Sequence, residues 1–446
     1  MALQADTLNQ FIAIVGEANI TSDSAQLKNN SGDCYWYSPV LKPQLDDKFA
    51  DVIIRPGSVE ELRAVIALAV RQRIPITMRG AGTGNYGQGI PMQGGILLNT
   101  KRLDRILELT PEHARVEAGT LLVTIERSAR KIGAEMRFFP STLLTATAGG
   151  FLAGGAGGVG SIMWGTLWDE GNVLSATILT VEEEPRLLTV SGTEALQGVI
   201  HSCGLTCVIV DLTFALAPAL PWWQAVLAFD SFEDGLRFGE KLAYDDAINK
   251  RLITVVEWPV PDFFIQLKKQ GACPEGKALA LLHVTMSQEE LLSHAQSFGG
   301  RLTWSSPAEN YQRKGLMLSD FSWNHTTLWA IKADERWTYT QDQFKPDRAH
   351  EQLRLLKERY GNDFLRHIEF MKFKGVLYPQ GLSLLYYRSD EQIAEIIHYS
   401  ESNDVWVANA HSHRLDDDVR WNGQPILDAR HRWDPFDLLN PGHLNA

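Results

Sequence analysis

Cysteine is scarce in this chain: Cys34, Cys203, Cys207 and Cys273 are four in 446 residues. That number is too small for a disulfide scaffold, and the Cys203/Cys207 spacing has no second pair to complete a zinc or iron–sulfur set. Buried thiols are the simpler reading, so no metal is expected. Positive charge is also short, with 42 Lys and Arg against 54 Asp and Glu, a formal net charge of −12. A general affinity for nucleic acid is excluded, because it needs a cationic surface to displace counterions. No apolar run approaches the ~18 residues of a membrane span, and the start Met1-Ala2-Leu3-Gln4-Ala5-Asp6 lacks the basic and apolar regions of a secretory signal. The cytoplasm is the expected compartment. There is no internal repeat and no low-complexity tract.

What is present reads as a globular protein, with 44% apolar and 22% charged residues. The length exceeds one ordinary core, so two domains are expected. Glycine is concentrated where chemistry would use it. Arg79-Gly80-Ala81-Gly82-Thr83-Gly84-Asn85-Tyr86-Gly87-Gln88-Gly89 follows an apolar strand-like run. Backbone N–H groups converge on an anion only where side chains leave room, and such a nest uses the positive φ values open to glycine. A Walker loop would end in Gly-Lys-Ser/Thr, and this one continues Asn85-Tyr86. A Rossmann fingerprint fits the letters of residues 82–87, but turn-rich sequence follows in place of a helix. The guest that fits is a dinucleotide held by N–H groups and local dipoles; a plain surface turn is the alternative.

A second glycine-rich stretch supports the first. Pro140-Ser141-Thr142 precedes Thr147-Ala148-Gly149-Gly150, then Gly154-Gly155-Ala156-Gly157-Gly158-Val159-Gly160-Ser161. Phe151, Leu152, Val159, Ile162, Met163 and Trp164 make it too apolar for a flexible linker. Backbone lying flat against a planar or anionic group explains the pattern better. These elements, with Ala50-Asp51-Val52-Ile53-Ile54-Arg55-Pro56 before them and Asp434-Pro435-Phe436-Asp437-Leu438-Leu439-Asn440-Pro441-Gly442 at the end, appear together and in order. Through nearly its whole length the chain resembles the FAD-linked oxidases of the vanillyl-alcohol oxidase and p-cresol methylhydroxylase (PCMH) type, near the glycolate oxidase and D-lactate dehydrogenase branch.

The resemblance implies an α+β fold, in which a PCMH-type FAD-binding domain of two subdomains is joined to an antiparallel-sheet substrate, or cap, domain. It implies that the backbone of Arg79, Gly80, Ala81, Gly82, Thr83, Gly84 and Asn85, with Tyr86 beside them, wraps the FAD pyrophosphate. Pro140, Ser141, Thr142, Thr147, Gly149 and Gly150 would run beside the flavin and ribityl chain, and Gly154, Gly157, Gly158 and Ser161 would continue the cradle. Residues 201–211 resemble the strand-forming element near the adenine. Cys207 replaces its usual glycine and Val210 its usual threonine, which leaves backbone bonds from Ile209 as the expected contact. Some members tether FAD covalently through a histidine in the first loop. The matching position is Thr83, and no histidine precedes His113, so dissociable, non-covalent FAD is expected.

Periodicity gives the coarse organisation. Leu62, Val65, Ile66, Ala69 and Val70 lie at helical spacing within 58–73, and Pro75 breaks the pattern before a strand at 76–78. Further strands are expected at 95–99 and 114–119. Pro218 and Pro221 mark a boundary, beyond which strands at 225–229 and 278–284 alternate with helices at 232–244, 288–298, 349–360 and 390–403. The expected division is an N-terminal segment 1–47, the FAD-binding domain 48–219, the substrate domain 220–420, and a C-terminal segment 421–446 that returns to the FAD domain.

A flavin accepts a hydride, so the cap must place a C–H bond over it, remove a hydroxyl or amine proton and hold the remainder. A base with a pKa near neutrality is wanted, which directs attention to histidine. Trp323-Asn324-His325-Thr326-Thr327, read as a strand, puts Trp323, His325 and Thr327 on one face. Asn409-Ala410-His411-Ser412-His413-Arg414 does the same for His411 and His413. Packing histidines are the alternative for both runs. A metal between His411 and His413, helped by Asp416, Asp417 and Asp418, is a further one, although those acids also read as a solvated turn. Tyr386 and Arg388 share a face, and Arg388 could bind a carboxylate or make a surface ion pair. Lys372 and Lys374 raise the same question.

The function expected is FAD-dependent dehydrogenation of a small polar molecule at an alcohol-bearing carbon, by analogy a 2-hydroxy acid, with a separate electron acceptor possible. An oxidase of a biosynthetic intermediate, or an FAD-binding sensor or assembly partner without turnover, stays open. Substrate, acceptor and oligomeric state are not legible.

Overall fold

The computed structural model describes residues 3–307, 316–417 and 423–445. Its first layer is a four-stranded sheet in the order Ile20–Thr21, Val52–Ile54, Ile96–Asn99, Ile76–Arg79, parallel except at the Ile20–Thr21 edge. Helix Val59–Arg71 supplies the crossover. Ser58 Oγ accepts the Glu61 N–H at 3.1 Å, and Leu62, Val65, Ile66, Ala69 and Val70 are buried against the sheet. Each large aliphatic on that face contributes about 1.5–3 kcal/mol of burial.

A second, antiparallel sheet runs in the order Ile106–Leu109, His113–Glu117, Val208–Pro218, Val173–Leu179, Leu187–Ser191. Strand Val208–Pro218 is its spine: all but its last residue are buried, and Ala134–Met136 also pairs with it. The strand begins only at Val208. Residues 201–207 form turns, with His201 and Cys203 at positive φ.

The third sheet has eight strands, in the order Arg301–Ser306, Trp223–Phe229, Ala278–Val284, Lys250–Val256, His367–Phe373, Val376–Gly381, Gln341–Gln343, Trp406–Ala408, all pairs antiparallel. Alternation assigns its faces. Ala225, Leu227 and Phe229 join a core with helices Phe232–Ala243, Gln288–Gln296, Ala349–Tyr360 and Asp390–Ser402, while Val226 and Ala228 join a core shared with Phe139, Phe151 and Val116 of the preceding region. The chain then returns: Ile76 N–H donates to Leu438 O at 2.8 Å, and Asn440 N–H to Ile76 O at 2.7 Å. Among the described residues no helix is long and apolar enough to cross a membrane.

Two expected strands are corrected. Residues 324–333 form helix Asn324–Ala333, although Asn, His and Thr at its start are weak helix formers. Tertiary bonds override them: Trp323, at φ 49°, donates its N–H to Glu369 Oε1 at 2.8 Å, and Thr326 Oγ1 donates to Phe321 O at 2.8 Å. His325 therefore shares no strand face with Trp323 and Thr327. Strand Trp406–Ala408 likewise stops before Asn409, and His411 and His413 lie in turns.

Candidate active site

The glycine-rich loop leaves strand Ile76–Arg79 and opens directly onto a cavity of about 1200 Å³. Small-ligand pockets commonly measure about 300–1,000 Å³, so this one has room for a dinucleotide and a second molecule. Among the described residues, no protein acceptor takes the backbone N–H of Gly80, Ala81, Gly82, Thr83, Gly84 or Asn85. Consecutive open donors facing a cavity form an anion nest.

The glycines are needed for space. A Cβ on Gly80 would stand 2.2 Å from Thr147 Oγ1, and one on Gly149 2.7 Å from the Ala118 Cβ. Thr147 Oγ1 also accepts the Gly150 N–H at 3.3 Å, which caps helix Ala148–Gly154 beside the loop. A Cβ on Gly158 would meet Phe139 O at 2.2 Å, where Phe139 and Val159 exchange backbone bonds of 3.0 and 2.8 Å.

Arg79 lines the cavity, but its guanidinium faces away from any phosphate role. Its Nη atoms donate to Ser31 O (2.8 Å), Gly32 O (3.2 Å) and Gly89 O (2.7 Å), so it braces both ends of the loop against the N-terminal segment. Beside it, burial pushes the Asp33 carboxyl up to about 6, opposed by the Arg79 charge. Tyr86 OH donates to Gln341 Oε1 at 2.6 Å and ties the loop to the eight-stranded sheet.

Of the residues expected to hold the cofactor, Arg79, Gly80, Ala81, Gly82, Thr83, Gly84, Asn85, Tyr86, Pro140, Ser141, Thr142, Thr147, Gly149, Gly150, Gly154, Gly157, Gly158 and Ile209 all line this one cavity. Ser161 does not. It is fully buried behind the lining, where its Oγ accepts the Gly158 N–H at 2.9 Å and holds that turn. Open donors, tight glycine contacts and volume together fit FAD.

The expected catalytic residues separate. His325 lines the cavity near the start of its helix, with Nδ1 3.8 Å from Asp320 Oδ1; burial pushes its pKa down to about 4, so the ring is neutral. His411 stands outside the lining, its Nδ1 2.8 Å from Ser38 Oγ and its Nε2 2.9 Å from Tyr339 O, with a pKa pushed by burial to about 4. Both ring nitrogens are committed, which makes it a packing residue. His413 packs edge-on against His443, Nδ1 to Nδ1 3.3 Å, and burial depresses its pKa to about 4 as well. None of the three has the near-neutral pKa sought in a base. Among the described residues no three His, Cys, Asp or Glu side chains converge as metal ligands; Asp418 lies outside the described residues. Tyr386 lies under the Arg336 and Arg388 guanidiniums, and Arg388 makes an exposed ion pair with Asp363, donating to Oδ1 at 2.8 Å. Neither lines the cavity. Lys374 lines it as an exposed side chain, whereas Lys372 does not.

Sequence reasoning missed the rest of the wall. Asp33, Cys34 and Trp36 come from the N-terminal segment, and Gln341, Gln343, Gln380, Met371 and Trp406 from the eight-stranded sheet. Polar residues two apart in a short strand, as in Gln341-Asp342-Gln343, were the one available signal.

Comparison with known proteins agrees with this geometry. Residues 50–185 match the family described as FAD binding domain. The glycolate oxidase subunit GlcD of Escherichia coli (strain K12) is 30% identical over 204 residues, 43% of this chain and 40% of that protein. The D-lactate dehydrogenase of Archaeoglobus fulgidus is 30% identical over 209 residues, 44% of this chain and 45% of its own length. The chain thus matches less than half the length of these curated relatives. A solved alkyldihydroxyacetonephosphate synthase superposes with a TM-score of 0.73 at 14% identity, covering 99% of this chain and 86% of the other, a likeness of fold. The chain belongs to the flavoprotein superfamily of vanillyl-alcohol oxidase and p-cresol methylhydroxylase, carries its FAD binding domain over residues 50–185, and takes FAD as its cofactor.

Proposed function

We propose that this protein is an FAD-dependent oxidoreductase that dehydrogenates an alcohol-bearing carbon of a polar small molecule. The observation that carries the reading is the continuity of one cavity from the open N–H donors of residues 80–85 to the buried ring of His325. Bound FAD supplies a hydride acceptor at N5. On this reading residues 80–85 hold the pyrophosphate without a cation, and residues 140–142 with Thr147, Gly149 and Gly150 hold the flavin side. Thr83 offers no imidazole for a tether, so the cofactor is dissociable.

The substrate's hydroxyl carbon gives up a hydride to FAD and its hydroxyl proton to His325, leaving a carbonyl. His325 is suited to accept because burial keeps the ring unprotonated at neutral pH. The eight-stranded sheet acts as the cap and excludes water from the site. We read residues 48–219 as the FAD-binding unit and 220–420 as the cap. The names of the relatives make 2-hydroxy acids the first compounds to try, with electrons leaving to a separate acceptor. The four cysteines are free thiols, which supports a cytoplasmic setting.

The test compares wild type with His325→Asn, each loaded with FAD and mixed anaerobically with CH–OH donors. Wild type should bleach with at least one donor, and the variant should bleach about 10²–10⁴-fold more slowly with its FAD content unchanged. Equal rates would remove His325 from the mechanism, and no bleaching with any donor would leave a flavin-binding protein without turnover.

A further inference from the structure

The wall of the cavity formed by the eight-stranded sheet has a definite chemistry. Strand register sets Glu369 opposite Gln380, Gln380 opposite Gln343, and Gln343 opposite Trp406, so four side chains form a row across four strands. Gln343, Gln380 and Trp406 of that row line the cavity. Trp323 and Asn324 join it from the side, because the Trp323 N–H is anchored on Glu369 at 2.8 Å.

Three polar atoms in this group have no protein partner. They are Gln380 Nε2, on a residue only 4% exposed, Trp323 Nε1 and Asn324 Oδ1. Each orphaned buried group is unfavourable, and a cluster of them at one wall of a cavity calls for a ligand that satisfies it. Two donors and an acceptor are the complement of hydroxyl groups, each of which both donates and accepts. The indole faces of Trp36, Trp323 and Trp406, all lining the cavity, suit the C–H surfaces between such hydroxyls.

The wall is also electrically neutral. Glu369 is saturated, accepting from Thr254 Oγ1, the Trp323 N–H and His367 Nε2 at 2.8–2.9 Å. His325 is neutral. Among the described residues the cations of the lining are Arg79, committed to three carbonyls, and the exposed Lys374 and Arg414. A carboxylate is normally met by a cation in bidentate or charge-assisted contact, and the row of amides and indoles offers none.

The geometry points to a neutral, polyhydroxylated molecule of the sugar or sugar-alcohol class as the ligand of this wall, in preference to a 2-hydroxy acid. This rests on the reading of the cavity as an FAD-dependent CH–OH oxidoreductase and deepens it by naming the substrate class. Gln380 and Trp323 donate to two of the ligand's hydroxyl oxygens, and Asn324 accepts from one.

Calorimetric titration of the FAD-loaded protein with xylitol, sorbitol and glucose, against glycolate and D-lactate, tests binding, and anaerobic bleaching of the same mixtures tests turnover. At least one neutral polyol should bind more tightly than either acid. Gln380→Leu and Trp323→Phe should each weaken it by at least about tenfold, the cost of one lost buried hydrogen bond, with FAD content unchanged. Trp323→Phe removes only the indole N–H, so it answers the question even if Gln380→Leu does not fold. Tighter binding of glycolate or D-lactate, binding of none of the five, or indifference to both substitutions overturns the assignment. If an acid alone bleaches the flavin, the redox reading survives and the substrate class falls. If a polyol binds without bleaching, the wall is correctly assigned and the redox reading fails.

Discussion

At Gly80 there is no space for a side chain, because a Cβ would meet Thr147 Oγ1, the atom that caps the neighbouring helix. Gly80→Ala therefore pushes the nest and the cap apart. An overpacking cost of about 1–3 kcal/mol, applied to the FAD-binding conformation, corresponds to roughly 5- to 150-fold weaker FAD binding, measurable by flavin fluorescence titration. At His325 the relevant variable is pH. Its pKa is depressed by burial to about 4, so the ring is free to accept a proton throughout the neutral range. Flavin reduction should be flat from about pH 5 to 8 and fall about tenfold per pH unit below about pH 4, as protonation removes the base. A profile that instead breaks near pH 6.5 would show that His325 is more solvated than the structure has it.

At the scale of elements, the legible parts were those whose pattern is local. Leu62, Val65, Ile66, Ala69 and Val70 mark helix Val59–Arg71 by spacing alone, and Ala349–Tyr360 starts and stops where its periodicity does. The glycine loop was legible because glycine density itself reports close backbone approach. The strand reading at residues 323–327 failed because the chain there is set by Glu369, 46 residues away. His411 was misplaced for the same reason, since it is held by Ser38, 373 residues away in sequence. Alternating letters cannot report such bonds. The Glu369 anchor gives its own prediction. Glu369→Gln weakens the grip on the Trp323 N–H, Thr254 and His367, and lets the start of helix Asn324–Ala333 relax. A displacement of about 1 Å in a positioned group costs roughly 10²-fold in rate. We expect a fall in the anaerobic reduction rate of that order with unchanged FAD content and an unshifted pH profile, the pattern of a residue that positions His325 without sharing its proton.

Across the whole molecule, the cap sheet and the FAD-binding region are joined by a buried ion cluster. Arg251, on strand Lys250–Val256, lies 3.5 Å from Glu126 and 3.8 Å from Glu135, and donates to Met136 O at 3.0 Å; Arg130 bridges the same two acids at 2.9 and 2.6 Å. Burial raises the Glu135 pKa against the pull of Arg251. Arg251→Met leaves two buried carboxylates with one cation, a loss of about 3–5 kcal/mol. Thermal unfolding should show a Tm lower by on the order of 5 °C or more. No sequence pattern announced this cluster, because its members come from separate elements that only the folded chain brings together.

The central claim is that one cavity holds dissociable FAD within reach of a CH–OH donor. The direct measurement is the visible spectrum of the purified protein before and after acid precipitation, repeated anaerobically with the panel of polyols and hydroxy acids. The account predicts a flavin spectrum, release of all the flavin into the acid supernatant, and bleaching by at least one compound of the panel. Flavin retained in the acid pellet would contradict the reading of Thr83, and a protein that stays colourless in the presence of added FAD would contradict the account as a whole.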